Sequence, residues 1–218
     1  MPRFRDRRDA GRRLAEALEG VRREEQPVIL GIPRGGVVVA DEIATVLDAP
    51  LDVVVVRKLG YPGHEEAGFG ALGEDDVVVP ESFAESLVKS EPGRGGLDPL
   101  RSVIEQKRAE VAERVERYRG TRAPAPIEGA TAVVVDDGIA TGYTFAAALA
   151  IARRRGPRRL VAAAPVTSWE GARLVSGYCD EVVAIGRADP GLFFAVSLYY
   201  DDFPQVSDEQ VVELLRPA

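Results

Sequence analysis

The fold is decided by the stretch AVVVDDGIATGYT, which runs from Ala132 to Thr144. Four apolar residues lead directly into two adjacent carboxylates, Asp136 and Asp137, and a turn rich in glycine and threonine follows. A short, β-branched run bounded by polar residues is typical of a buried strand in a parallel sheet. Open α/β sheets bind their ligands at the carboxyl ends of such strands. The stretch therefore predicts a ligand site at the acidic pair and the turn.

The turn after the acidic pair has the composition of a phosphate cradle. Gly138 and Gly142 let the backbone bend tightly, so that successive N–H groups can point at one anion. Thr141 and Thr144 add hydroxyl donors, and a helix predicted over 144–155 directs its positive end toward the same anion. An Asp-Gly hairpin turn is the alternative, but a helix-forming run follows instead of a second strand. Acceptors for ribose hydroxyls beside a phosphate cradle suit a sugar phosphate.

The same stretch resembles the phosphoribosyl-pyrophosphate signature of the type I phosphoribosyltransferases, and all positions from 132 to 144 match it without a gap. The resemblance implies that Asp136 and Asp137 act in catalysis, hold the ribose hydroxyls and contact Mg²⁺ indirectly. It also implies that the turn binds the 5-phosphate of the sugar through Gly138, Ile139, Ala140, Thr141, Gly142, Tyr143 and Thr144.

A second glycine turn, Pro33-Arg34-Gly35-Gly36, follows a predicted strand and precedes a predicted helix. It lacks the Lys-Ser/Thr pair of nucleotide P-loops. Bare glycines let backbone N–H groups approach a pyrophosphate, and Arg34 can add a bidentate contact. An ordinary strand-to-helix turn is the alternative interpretation. In the type I family the corresponding turn binds pyrophosphate, and Arg34, Gly35 and Gly36 match that position.

Two cations, Arg57 and Lys58, follow a run of four valines, where burial does not explain them. They are suited to phosphate oxygens, although a solvated strand end is the alternative. The resemblance implies that a basic residue here contacts pyrophosphate and that the glycine-rich segment 57–76, interpreted as a loop, closes over the site. Within that segment, Glu66 and Phe69 are expected to shape the closed state.

Tyr199 and Tyr200 lie where the type I family places a C-terminal hood over the acceptor. Their rings are candidates to stack on a flat acceptor, and packing in the core is the alternative. The 6-oxopurine branch of the family carries a third acid at the position of Ala140, so the acceptor stays open. The motifs are similar to a less characterised bacterial and archaeal branch.

The order of elements predicts an α/β fold, a mainly parallel twisted sheet flanked by helices. Strands are expected at 28–32, 51–56, 132–135, 160–166 and 181–185, and helices at 37–47, 98–118, 144–155, 168–176 and 207–215. We expect one phosphoribosyltransferase-like domain over 1–218, with a helical insertion at 80–130 and a small hood at 186–218. The inserted helix offers a surface for a homodimer.

Composition limits the classes of partner. Acidic residues outnumber basic ones by 35 to 28 and the net charge is −7, which disfavours nucleic acid. The single cysteine, Cys179, excludes an internal disulfide and suggests a reducing compartment. No apolar run approaches the roughly 20 residues that span a bilayer, and the first residues carry no signal-peptide core. A cytoplasmic protein without membrane partners is expected.

Together these features predict an enzyme that transfers a phosphoribosyl group from phosphoribosyl pyrophosphate to an unidentified nitrogenous acceptor with the help of Mg²⁺. A non-catalytic module that senses phosphoribosyl pyrophosphate or a nucleotide is the alternative. The presence of Arg34, Arg57 and Lys58 favours the enzyme. A phosphate-ester hydrolase would need further carboxylates or histidines around the acidic pair, and the sequence offers no convincing set.

Overall fold

The structure, a computed structural model, describes residues 2–23, 27–61, 64–74, 77–78 and 98–216. A five-stranded sheet in the order β2-β1-β6-β7-β8 forms its centre, and every neighbouring pair is parallel. Its strands are β1 (Val28–Gly31), β2 (Leu51–Val53), β6 (Thr131–Val135), β7 (Arg159–Ser168) and β8 (Glu181–Ala188). The predicted fold class, a parallel sheet flanked by helices, is confirmed.

The described helices lie before, between and after these strands. They are α1 (Arg7–Ala17), α2 (Glu19–Arg23), α3 (Gly35–Leu47), α4 (Asp98–Arg119), α5 (Tyr143–Arg154), α6 (Trp169–Val175) and α7 (Asp208–Leu214). The predicted helices at these positions are confirmed to within two residues at most ends. The side chain of Asp6 caps α1 by accepting from the N–H of Asp9, and a capping box of Ser207 and Gln210 opens α7.

Successive residues of the central strands face opposite layers, which explains their continuous apolar runs. Val134 packs in a cluster with Phe145 and Leu149 of α5, whereas Val133 packs on the other face with Leu14 of α1 and Ile43 of α3. All five residues of β6 are buried. Helices therefore cover both faces, and only the ends of the strands are available for a polar site.

The interpretation of residues 57–76 as a loop is wrong. The segment contains β3 (Arg57–Tyr61) and β4 (His64–Leu72), which pair as an antiparallel hairpin, and β4 also pairs with the short β5 (Val77–Val78). The register of the hairpin shifts on both sides of Gly60. Glycines carry little strand propensity, so a glycine-rich strand with an irregular register leaves no clear alternation in the sequence.

The predicted bounds of the second strand also need correction. The predicted strand 51–56 ends at Val53. The N–H of Val54 still donates to Gly31 O at 3.1 Å, whereas Val55 and Val56 leave the ladder although they are buried. The segment at Val196–Tyr199 forms a short 3₁₀ helix. Ladder hydrogen bonds, which hydropathy does not report, decide where a buried apolar run stops being a strand.

Helix α4 joins the centre of the molecule through a buried cluster of charges at its last residue. The guanidinium of Arg119 donates to Asp52 Oδ1 at 3.2 Å and to both carboxylate oxygens of Glu74 at 2.6 and 3.0 Å. Asp52 belongs to β2 and Glu74 follows β4, so one arginine links the helix, the sheet and the hairpin. The division of the chain into a core, an insertion and a hood stays a prediction.

Within the described residues, none of the helices combines the length and the apolar character needed to cross a bilayer.

Candidate active site

Two turns meet at the carboxyl ends of β1 and β6 because these strands are neighbours in the sheet. Gly31 lies opposite Val135, and the N–H of Ile32 donates to the carbonyl oxygen of Val135 at 2.8 Å. The turn at 33–36 therefore lies beside the turn that follows β6. The two turns that sequence analysis singled out separately form one rim of the sheet.

The turn after β6 is anchored on its outer side to β7. The N–H of Ile139 donates to Val166 O at 2.9 Å, and the carbonyl of Ile139 accepts from the N–H of Ser168 at 2.8 Å. The hydroxyl of Ser168 donates to Ala140 O at 2.5 Å. Gly142 then begins α5 with a φ of 82°, a left-handed conformation that favours glycine. The turn is thus fixed by its carbonyl groups and by one N–H.

The remaining N–H groups of this turn are unpaired. In the part of the chain that the structure describes, six of the seven N–H groups from Gly138 to Thr144 donate to no protein acceptor, and the exception is that of Ile139. The last of them belong to the first turn of α5, where the helix dipole is positive. Thr141 and Thr144 are exposed beside them. Such an arrangement can bind an anion through main-chain N–H groups.

The acidic pair lies at the base of this turn. The carboxylate of Asp136 accepts from the N–H of Asp137 at 2.8 Å. Burial, reinforced by the charge of Asp137, raises the pKa of Asp136 well above its usual range. Burial also raises the pKa of Asp137, although the neighbouring Arg7 opposes that effect. The ionised forms of the two carboxyl groups therefore need support from a cation or from hydrogen-bond donors.

Arg7 of α1 is a part of the site that sequence analysis did not identify. Its Nε donates to Asp137 Oδ2 at 2.8 Å, and its side chain is 9% exposed. No local signal could have singled it out, because it is one of six arginines among the first 13 residues. Only the fold selects this arginine, by placing the first residue of α1 beside the carboxyl end of β6.

The predicted pyrophosphate-binding cations have carboxylate neighbours from other helices. Arg34 is exposed, and its Nη1 lies 4.0 Å from Asp208 Oδ1 at the start of α7. The Nε of Arg57 lies 3.7 Å from Glu110 Oε2 on α4. Lys58 is half-buried in β3. Sequence reasoning did not anticipate these pairings, since the partners are distant along the chain.

The predicted acceptor residues have different surroundings. Tyr199 is half-buried and stacks on Phe193, with ring centroids 5.3 Å apart. Tyr200 is buried beside Phe4, and its hydroxyl donates to the carbonyl oxygen of Asp137 at 2.6 Å. Burial, with a contribution from Asp137, raises the pKa of Tyr200. This tyrosine therefore supports the main chain of the acidic pair.

The two residues expected to shape the closed state, Glu66 and Phe69, lie within β4, but their side chains fall outside the described residues. Their part in closing the site stays a prediction.

Comparison with known proteins gives consistent results. The family model of the phosphoribosyl transferase domain matches residues 5–201. A Mycobacterium tuberculosis H37Rv protein named "Putative phosphoribosyl transferase Rv0571c" is 45% identical over 217 residues, which cover 99% of this chain and 47% of that protein. The chain thus spans about half the length of the curated relatives it matches.

Among solved structures, TT1426 from Thermus thermophilus is 44% identical with a TM-score of 0.84, covering 98% of this chain and 97% of that one. The AQ2163 protein from Aquifex aeolicus, 14% identical with a TM-score of 0.50 over 84% of this chain and 75% of its own, is similar in fold alone. Because the family model extends from α1 to the end of the 3₁₀ helix and includes both turns of the rim, the chain belongs to the phosphoribosyl transferase domain family.

Proposed function

We propose that the protein transfers a phosphoribosyl group from phosphoribosyl pyrophosphate to a nitrogenous acceptor, with Mg²⁺, and releases pyrophosphate. The observation that carries this proposal is the row of unpaired N–H groups from Gly138 to Thr144 directly beside Asp136 and Asp137. The unpaired N–H groups can bind a phosphate, and the two carboxylates can accept hydrogen bonds from ribose hydroxyls. No other described part of the chain offers both within a few residues.

The turn at 138–144 is proposed to bind the 5-phosphate, away from the bond that reacts. Main-chain donors fixed by β7 and α5 need no reorganisation when the phosphate arrives. Binding energy gained there orients the ribose ring over the acidic pair. The phosphate thereby acts as an anchor, and the reacting carbon is presented toward the neighbouring turn at 33–36.

Asp136 and Asp137 are proposed to accept hydrogen bonds from the ribose hydroxyls. Their oxygens can also hold water molecules of a bound Mg²⁺, an ion that usually keeps several waters and binds substrate phosphates. In the described part of the chain, no three histidine, cysteine or acidic side chains form a metal-binding group. The substrate, with water molecules held by the acidic pair, would provide the ligands. Bound Mg²⁺ would supply stabilisation of the charge on the departing pyrophosphate.

In the proposed reaction the C1–O bond to pyrophosphate breaks, and its electron pair leaves with pyrophosphate. The lone pair of the acceptor nitrogen forms the new C1–N bond, and the proton of that nitrogen passes to solvent. Arg34, Arg57 and Lys58 are proposed to stabilise the leaving charge together with the N–H groups of the turn at 33–36. Arg34 and Arg57 would then exchange their carboxylate neighbours, Asp208 and Glu110, for pyrophosphate oxygens.

Calorimetry with phosphoribosyl pyrophosphate and Mg²⁺ tests the donor. We expect saturable binding to the wild-type protein and none to the Asp136→Asn/Asp137→Asn variant, with the exposed Asp189→Asn as a matched control that binds normally. Unchanged affinity of the paired variant contradicts the proposal.

The release of pyrophosphate across a panel of bases and amines tests the transfer. Turnover with one member identifies the acceptor. Tight binding of the donor without turnover of any acceptor favours a sensing module instead.

A further inference from the structure

We infer that Arg7 is a positioning residue, which holds the carboxylate of Asp137 in the orientation that ribose hydroxyls require. The inference rests on the proposed function and deepens it by extending the ribose site to the N-terminal helix. It follows from contacts of Asp137 with Arg7, Gly35 and Tyr200, which leave this residue little freedom.

Arg7 is itself fixed from three directions. Its Nε donates to Asp137 Oδ2 at 2.8 Å, its Nη1 donates to Pro204 O at 2.7 Å, and its guanidinium carbon lies 3.6 Å from the centre of the Phe203 ring. A planar guanidinium with separate donors satisfies these contacts at once, which a lysine does not. The bond to Asp137 is charge-assisted and largely shielded from water, so it is among the stronger hydrogen bonds of the site.

The turn at 33–36 closes the space beside the same carboxylate oxygen. A β-carbon added to Gly35 would lie only 1.9 Å from Asp137 Oδ2, so this oxygen occupies the space above the glycine. The hydroxyl of Tyr200 fixes the main chain of the same residue from the C-terminal segment. Residues from three parts of the chain, Arg7, Gly35 and Tyr200, thus hold the main chain of Asp137 and one oxygen of its carboxylate.

These contacts predict a selective effect on ligands. Without Arg7, the carboxylate of Asp137 can adopt more rotamers and loses its nearest cation. A displacement of about 1 Å in a group that positions a ligand is enough to weaken binding of that ligand strongly. The ligand part that touches Asp137 is the ribose. Pyrophosphate is expected at the turn at 33–36. This turn stays attached to β6 in the variant, because the hydrogen bond from Ile32 to Val135 just before it does not involve Arg7. If Arg7 only positions Asp137, its loss should weaken the binding of ribose 5-phosphate and leave the affinity for pyrophosphate unchanged.

Calorimetry in the presence of Mg²⁺, with ribose 5-phosphate and pyrophosphate as separate probes, tests this inference. We expect Arg7→Met to bind ribose 5-phosphate roughly 10- to 100-fold more weakly and pyrophosphate within about 2-fold of wild type. Arg7→Lys retains the charge and is expected to recover part of the loss. Arg12→Met is the matched control, because it removes an exposed ion pair with Glu42 from the same helix and should change neither affinity.

A double-mutant cycle with Asp137→Asn separates positioning from a general structural effect. If Arg7 acts through Asp137, Arg7→Met adds little further loss in the Asp137→Asn background. Equal losses for both probes, additive losses in the cycle, or a folded Arg7→Met with wild-type affinity for ribose 5-phosphate each overturn the inference. Should Arg7→Met not fold, Arg7→Lys carries the same comparison of the two probes.

Failure of the proposed donor site gives a different result, because the wild-type protein would then bind neither phosphoribosyl pyrophosphate nor ribose 5-phosphate. Failure of the transfer alone appears as donor binding without turnover and leaves the comparison of the two probes intact.

Discussion

The α-carbon of Gly36 packs so closely against Val135 that a β-carbon at position 36 would lie 2.6 Å from the carbonyl oxygen of Val135. The same β-carbon would lie 2.8 Å from the α-carbon of Asp136. The opposing atoms are backbone, which cannot rotate away as the end of a side chain can. The separation between the two turns of the rim is therefore set by a glycine in one turn and the main chain of the other.

We expect Gly36→Ala to reduce the free energy of unfolding by about 1–3 kcal/mol, because the added methyl group overpacks a contact between two backbones. Affinity for phosphoribosyl pyrophosphate should fall as well, since the turns must separate. Urea unfolding and calorimetry measure the two effects. Gly20→Ala is the control: it lies in α2, has no atom within 4 Å of the added carbon, and should be neutral or slightly stabilising. Similar results for both alanine variants contradict this prediction.

We expect Arg119→Met to destabilise the protein by about 3–5 kcal/mol, because it leaves two carboxylates buried without their cation. The side chains of Arg119, Asp52 and Glu74 are 3%, 6% and 11% exposed. Thermal or urea unfolding measures the loss. In the control Arg153→Met, the ion pair with Asp180 is exposed, and the expected change is at most about 1 kcal/mol. Equal losses of unfolding free energy in the two variants would show that the buried cluster stabilises the protein no more than an exposed ion pair does.

The sheet and the turn after β6 were predictable because their signals are local. An apolar run, an acidic pair and a glycine turn follow one another in Ala132–Thr144, and each element of that order appears in the structure. The signals that set helix ends are also local, as the capping box at Ser207 illustrates. Where neighbouring residues decide the conformation, the sequence was sufficient.

The rest depended on contacts between distant residues. Arg7 and Asp137 are separated by 130 positions, and nothing near either residue indicates the other. The pairing of β3 with β4 was missed because glycines obscure its alternation. The carboxylate neighbours of Arg34 and Arg57 arise only when α7 and α4 pack beside the rim. The hydrophobic periodicity of a sequence does not predict ion pairs between residues that are distant along the chain.

We expect Asp208 to contribute stability that is lost in acid. A hydrogen bond from Tyr118, followed by the charges of Arg114, Arg34 and Arg117, lowers the pKa of Asp208. The unfolded chain therefore binds a proton at a higher pH than the folded one, so this contribution is full above the unfolded pKa of about 4 and disappears as the pH falls through the folded value.

Urea unfolding between pH 7 and acid checks this prediction. Asp208→Asn should be less stable than wild type at pH 7 by about 1–2 kcal/mol, and the difference should shrink as the pH falls. Exposed Asp189→Asn serves as the control and should follow the wild-type curve. A difference that stays constant with pH, or grows in acid, is incompatible with the lowered pKa of Asp208.

We expect Asp136→Asn to stabilise the protein without ligand while it weakens binding of phosphoribosyl pyrophosphate. Burial and the charge of Asp137 raise the pKa of Asp136, so between the unfolded and folded values the folded state binds more protons and stability falls as the pH rises. Asparagine does not titrate, and its side-chain oxygen can still accept from the N–H of Asp137. The gain should be about 1 kcal/mol at pH 8 and smaller at pH 4, as measured by urea unfolding. A variant that is less stable than wild type at pH 8 but equally stable at pH 4 would show the opposite sign. Such a result would mean that the protein stabilises the ionised carboxylate of Asp136 before any ligand binds. The raised pKa of Asp136 instead indicates that a bound ligand has to stabilise this charge.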